Sequence, residues 1–227
     1  ESTRPQGATP VDANEERRRV LPVIGALRQR FADVVISIDT VKADVAGEAL
    51  REGATIVNDV SAGRLDPHMA DVCASAGAGV VLMHSRGGVS DMATFEHATY
   101  GRDVMSEVIY ELLPRAQAAE GAGVRREAIV LDPGIGFSKR STHSIAVLSQ
   151  LPRLTETGYP VLIGVSRKRF IGELTGIRDA AKRVHGTTGA NVMALAGGAR
   201  IFRVHDVGAA RQALEVAWAI LQRETGT

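Results

Sequence analysis

Ala128-Ile129-Val130-Leu131-Asp132-Pro133-Gly134-Ile135-Gly136-Phe137-Ser138-Lys139 joins a short apolar run to an acidic residue and then to a glycine-bearing loop. The run does not alternate apolar with polar residues, which is how a strand covered on both faces reads. Asp132 stands at its end. The glycines that follow let the backbone approach a flat ligand, with Phe137 at hand to pack on it. The same grammar recurs along the chain: Val34-Val35-Ile36-Ser37-Ile38 ends in Asp39-Thr40, Thr55-Ile56-Val57 in Asn58-Asp59, and Gly79-Val80-Val81-Leu82-Met83 in His84. Val161-Leu162-Ile163-Gly164-Val165 ends in Ser166, and Arg200-Ile201-Phe202-Arg203-Val204 in His205-Asp206. Six strands are expected.

Helical spacing fills the intervals. Asp12, with Glu15 three residues later, suits a helix start before Val20, Ile24, Leu27 and Phe31. Residues 101–121 set Val104, Val108, Leu112, Ala116 and Ala119 on one face and stop at Gly121 and Gly123. Asp206 suits the start of a last helix through Val207, Ala210, Leu214, Ala217 and Leu221. Alternating strand and helix implies βαβ units and a parallel sheet, either doubly wound or closed as a (β/α) barrel. No candidate strand is followed by Gly-x-Gly-x-x-Gly, which favours the barrel. One domain over residues 1–227 is expected.

Composition narrows the function classes. The chain is 44% hydrophobic but only 4% aromatic, a balance suited to aliphatic packing between helices and strands. A net charge of +1 supplies no broad basic face for nucleic acid. The single cysteine, Cys73, cannot form an intrachain disulfide, and no apolar run approaches the roughly 20 residues that span a bilayer. Residues 1–10 carry no targeting pattern. A cytoplasmic protein without nucleic-acid or membrane partners is the expectation.

In a (β/α) barrel the catalytic groups sit at the carboxyl ends of the strands, so the polar residues that finish the six runs converge on one mouth. Any one of Asp39, Asn58 or Asp132 could instead cap a helix or make a turn. Ser166-Arg167-Lys168-Arg169 sets three cations after a buried strand, where they suit either an anionic or polar ligand or a solvated loop. Arg203 and His205 alternate, project to one side and could together grip phosphate oxygens; a satisfied core histidine is the other reading of His205. His68, His84, His97, His143 and His185 lack paired-ligand spacing, so no protein-only metal site is expected.

Seven ordered segments resemble the dihydropteroate synthases. They are Glu1-Ser2-Thr3-Arg4-Pro5, Ser37-Ile38-Asp39-Thr40, Ile56-Val57-Asn58-Asp59-Val60, Leu82-Met83-His84, Asp132-Pro133-Gly134-Ile135-Gly136-Phe137, Ser166-Arg167-Lys168 and Arg203-Val204-His205-Asp206-Val207. The resemblance implies a (β/α)8 barrel of the TIM type that condenses 6-hydroxymethyl-7,8-dihydropterin pyrophosphate with p-aminobenzoate. It implies that Asp39, Asn58, Met83, Asp132 and Lys168 bind the pterin. Thr3, Arg4, Pro5, Phe137, Ser166 and Arg169 would enclose p-aminobenzoate, and Arg203 and His205 would hold the pyrophosphate. Lys168, Arg203 and His205 would act in catalysis. Mg2+ would arrive with the pyrophosphate, without an assignable protein ligand; sulfonamides would compete for the p-aminobenzoate pocket, and a homodimer is expected.

The sequence departs from the family pattern at Ser85-Arg86-Gly87-Gly88 and at Arg169, where many members carry serine. It also begins at the family's second loop, so about six of eight β/α units are expected, without the first-loop segment that helps to bind magnesium. Two exposed sheet edges follow from that expectation, which leaves the synthase assignment in place and the activity of this chain by itself open. The rivals are a pterin-binding fragment without turnover and the methyltetrahydrofolate-binding domain of corrinoid methyltransferases. The latter would not need the pair Arg203 and His205.

Overall fold

A computed structural model describes residues 8–224. Asp12 opens the first helix as its capping pattern predicts: its carboxylate accepts from the backbone N–H groups of Asn14 and Glu15, both at 3.0 Å. Helix α1 is Ala13–Arg30, followed by β1 Ser37–Asp39, α2 Ala43–Arg51, β2 Ile56–Asp59, α3 Met69–Ala76 and β3 Gly79–Met83. Then come α4 Val104–Gly121, β4 Ile129–Asp132, α5 Ser141–Ser149, α6 Leu151–Thr155, β5 Leu162–Ile163, α7 Arg169–Thr175, α8 Val184–Ala196, β6 Ile201–Phe202 and α9 Val207–Glu224. Asp103 starts α4 by accepting from Ser106 N–H, so the helix begins at Val104, the first of its apolar positions, and not at residue 101.

Every strand pair is parallel. β1 to β4 form one sheet in chain order, β5 pairs β6, and a single bridge between Leu131 and Val161 joins the two sets. The six strands therefore form a curved barrel wall, with no ladder between β6 and β1 among the described residues. Chain direction puts all the carboxyl ends on one rim. The register levels them: Asp39 lies opposite Asn58, and Met83 opposite Asp132.

The inner strands are covered on both faces, as their unbroken apolar runs require. Val80, Val81, Leu82 and Met83 of β3 are all buried, as are Ile129 and Leu131 of β4. Helices seal the outside, α2 through Val45, Ala46 and Ala49 and α4 through Met105, Val108, Leu112 and Ala116. The edge strands differ from the sequence expectation. Pairing of the first run starts only near Ile36, whose carbonyl accepts from Thr55 and Ile56, and Val34 and Val35 are exposed. β6 is two residues long, with Ile201 exposed. An edge strand has a neighbour on one side only, so its first residues lack the second layer that would bury them.

Leu131 is fully buried one residue before the strand-end Asp132. Leu131→Ala should lower unfolding stability by about 2–5 kcal/mol in a denaturant titration, through lost transfer energy plus the cavity left behind. A loss below about 1 kcal/mol would show that this wall is not tightly packed.

Candidate active site

Asp132 is the electrostatic centre of the rim. It is buried, and one carboxylate oxygen accepts from Gly134 N–H at 2.7 Å, an Asx turn that starts the following loop. Burial pushes its pKa up to about 6, against the pull of Gly134 N–H and of nearby Lys168, Lys139 and Arg203. Gly134 and Gly136 both have φ in the left-handed region, +69° and +76°, which a side chain would strain. A Cβ on Gly134 would lie 1.9 Å from the His84 carbonyl oxygen, so the loop after β4 rests directly on the loop after β3.

Lys168 reaches into the same region from the loop after β5. Its stem crosses Gly136, where an added Cβ would stand 3.3 Å from Cδ, and its ammonium lies 4.2 Å from the centre of the Phe137 ring. Burial pulls its pKa down to about 8, with Asp132 opposing that shift. Among the described residues its amine makes this ring contact but no hydrogen bond.

Across the rim, Asp39 receives a hydrogen bond from the Asn58 side chain and an ion pair from Arg203 at 3.1 Å. Burial raises its pKa, and Arg203 is the largest opposing influence. This is the contact by which the last strand end meets the first, over 164 residues of chain. His205 follows: its Nδ1 is 2.8 Å from Ser166 Oγ, and its backbone N–H donates to the same hydroxyl. Met83 is buried beside Asp132 in the register. Asp39, Asn58, Met83, Asp132, Phe137, Ser166, Lys168, Arg203 and His205 therefore lie along one rim. Thr3, Arg4 and Pro5 fall outside the described residues.

The three cations after β5 do not act together, contrary to the sequence reading. Arg167, in a left-handed conformation with φ 60°, forms a two-pronged pair with Asp206 at 2.8 and 3.1 Å. Arg169 starts α7 and stacks on Phe95 at 4.4 Å, so only Lys168 turns to Asp132. Asp59 shows the plainer outcome for a strand-end acid: Ser61 and Gly63 supply donors to both its oxygens, making a closed local turn. Two grooves of about 430 Å³ among the described residues, one on α1 and one between β6 and α9, are not lined by Asp39, Asn58, Asp132 or Lys168.

Sequence reasoning passed over Lys139, which is buried behind the loop and bonded to His84. A lysine ending a glycine-bearing loop was its only signal. Among the described residues one group of three possible metal-binding side chains occurs, Asp91, Glu96 and His97, in the segment between β3 and α4. Asp91 already accepts from Gly88 N–H and pairs with His97. No helix among the described residues is long and apolar enough to cross a membrane.

Comparison with known proteins places these features in a family. The pattern described as pterin binding enzyme matches residues 1–205. A dihydropteroate synthase of Mycobacterium leprae is 46% identical, over 97% of this chain and 78% of its own length. A second protein of that organism, called inactive dihydropteroate synthase 2, is 39% identical over 92% of this chain and 72% of its own length. A Xanthomonas albilineans dihydropteroate synthase solved with 7,8-dihydropteroate superposes with a TM-score of 0.85 at 42% identity, covering 95% of this chain and 77% of that one.

The raised carboxyl of Asp132 has a consequence for stability. The folded chain holds this proton more tightly than the unfolded chain does, so the contribution of Asp132 to stability is fully present below about pH 4 and is lost as pH rises through about 6. Asp132→Asn keeps an acceptor for Gly134 N–H but cannot ionise. It should be more stable than the parent near pH 7 by about 2–3 kcal/mol and equal to it near pH 4, in denaturant titrations at the two pH values. An equal effect at both would contradict the buried-charge description.

Proposed function

The chain belongs to the dihydropteroate synthases within the pterin-binding enzymes, and from that premise we propose how its strand ends divide the work. The reaction condenses 6-hydroxymethyl-7,8-dihydropterin pyrophosphate with p-aminobenzoate to give 7,8-dihydropteroate and pyrophosphate in folate synthesis. The observation that carries the assignment is the pair Asp132 and Lys168. Asp132 is buried at the end of β4 and Lys168 is half-buried in the loop after β5, each with donors or acceptors left over for a guest.

The pterin ring presents an amino group beside a ring N–H on one edge and a carbonyl close by. Asp132 accepts from the first two, Lys168 donates to ring acceptors, Asn58 and Asp39 complete the polar edge, and Met83 packs on the face. Buried partners of this kind penalise analogues that lack the matching groups. Phe137, Ser166 and Arg169 bound the arylamine side, with the N–H groups of Arg169, beside Phe95, for its carboxylate; Thr3, Arg4 and Pro5, given the same role by the resemblance, lie outside the described residues.

Arg203 and His205 take the diphosphate. The ion pair of Arg203 with Asp39 is largely exposed, with side-chain exposures of 65% and 39%, so exchanging it for phosphate oxygens costs little. The methylene C–O bond breaks with both electrons going to the departing diphosphate, whose charge these two residues receive, leaving a ring-stabilised methylene cation. The nitrogen of p-aminobenzoate then forms the new C–N bond and loses one proton. Mg2+ prefers oxygen ligands, which neither the Arg203 guanidinium nor the His205 ring offers. Magnesium would therefore enter on the diphosphate oxygens, where it would offset their charge.

Sulfonamides would compete at the p-aminobenzoate subsite. Exposed Val216 and Ile220 on α9 suit pairing of two copies, and the cytoplasm is the compartment we assign. A second reading, ligand binding without turnover, draws support from the inactive relative of M. leprae. The corrinoid methyltransferase reading has no such support.

Mixing the protein with the pterin diphosphate, p-aminobenzoate and Mg2+ should release pyrophosphate. Pterin binding by calorimetry without release would favour the second reading. Arg203→Ala should weaken the diphosphate-bearing pterin at least about tenfold while leaving free hydroxymethylpterin within about threefold. Equal losses for the two ligands would contradict the division of roles.

A further inference from the structure

Lys139 is a lysine with 1% of its surface exposed, and the division of roles above leaves it unused. Its amine lies 2.8 Å from His84 Nδ1 and 3.3 Å from each of the carbonyl oxygens of Gly134 and Phe137. These are three acceptors, enough for every N–H of the protonated amine, whose pKa burial pulls down to about 7. Two belong to the loop that carries Phe137 and springs from Asp132. The third, His84, lies on the adjoining strand end.

The chain of contacts continues outward to a helix. His84 Nε2 is 3.1 Å from Glu111 of α4, and Glu111 accepts from Arg86, which also reaches Glu107 at 2.8 Å. Burial lowers His84 to about 4, so its ring is neutral, with Nε2–H donating to Glu111 and Nδ1 free to accept from Lys139. Ser138 ties the same two loops a second time, receiving Arg86 N–H at 2.9 Å and donating to the Arg86 carbonyl at 2.7 Å. The Arg86 guanidinium covers the Tyr100 ring at 4.1 Å, closing the cluster from outside.

We propose that Lys139 is a positioning residue: anchored to α4 through His84 and Glu111, its side-chain nitrogen fixes the main-chain course of residues 134–137. It thereby sets the reach of Asp132 toward the pterin and of Phe137 toward the arylamine. The second half of this statement rests on the synthase reading; the first half does not. A lysine that only fills space would hold the fold together without steering this loop. Lys139 instead donates to two carbonyls of the loop itself, so its removal loosens those residues first.

The experiment uses the full chain and two variants. Lys139→Met keeps the length of the side chain and removes its donors. Glu111→Gln weakens the outer end of the chain at a half-buried position and serves if the first variant does not fold. In a folded Lys139→Met protein, hydrogen exchange at residues 134–137 should quicken at least about tenfold against unchanged exchange in β1 and β2. KM for both substrates should rise about tenfold or more, by displacement of the two contact residues. Glu111→Gln should shift all of these readouts in the same direction by less. Unchanged loop exchange, a lowered melting temperature with both KM values unaltered, or a KM rise confined to one substrate overturns the proposal. If the parent chain releases no pyrophosphate, the synthase reading falls while the exchange result still decides the loop's anchor.

Discussion

An acid buried at one strand end stands beside a half-buried lysine from the loop after the next strand, and the rest of the rim is arranged around that fact. Burial pushes Asp132 up to about 6 and pulls Lys168 down to about 8, so both sit nearer neutrality than they would in solvent. Neither is fully satisfied by the protein. A site held in this state stabilises a guest that brings the missing hydrogen bonds, at the expense of the unliganded fold. The parallel barrel wall makes this possible because chain direction alone brings every carboxyl end to the same side, and buried Leu131 and Met83 exclude water from beneath Asp132.

The loop after β4 turns this electrostatic arrangement into a shape. Gly134 approaches the His84 carbonyl more closely than any side chain permits, and Gly136 lets Lys168 pass over the backbone. From behind, Lys139 and Ser138 fasten the loop to the β3 side and to α4. Arg203 holds Asp39 loosely across the rim, an exposed pair that a diphosphate can replace. The front of the site can therefore exchange partners while its back is cross-braced.

Much of this was legible in the sequence because burial on both faces leaves an unbroken apolar run, and a polar residue that interrupts it marks a strand end. Asp39, Asn58 and Asp132 stand out in that way, whereas Lys168 stands out only as one of three cations that follow the run ending in Ser166. The edge strands were overextended, since a run such as Val34-Val35 carries no sign of whether a second layer covers it. The division of the three cations after β5 was also hidden. It depends on Asp206, which lies 39 residues away and takes Arg167, and on Phe95, which takes Arg169. Lys139 escaped notice because lysine is ordinarily a surface residue, and its partners, His84 and Glu111, are 27 residues apart and meet only when α4 packs over β3.

Proton linkage at Asp132 tests the central claim most directly. Hydroxymethylpterin binding can be followed by calorimetry near pH 6 in buffers of different ionisation enthalpy, with Asp132→Asn as control. Two ring donors held by Asp132 demand its ionised form, so binding should release about half a proton in the parent and none in the variant. Binding enthalpies that do not vary with the buffer in the parent chain would contradict a buried, half-protonated carboxyl as the anchor of the pterin.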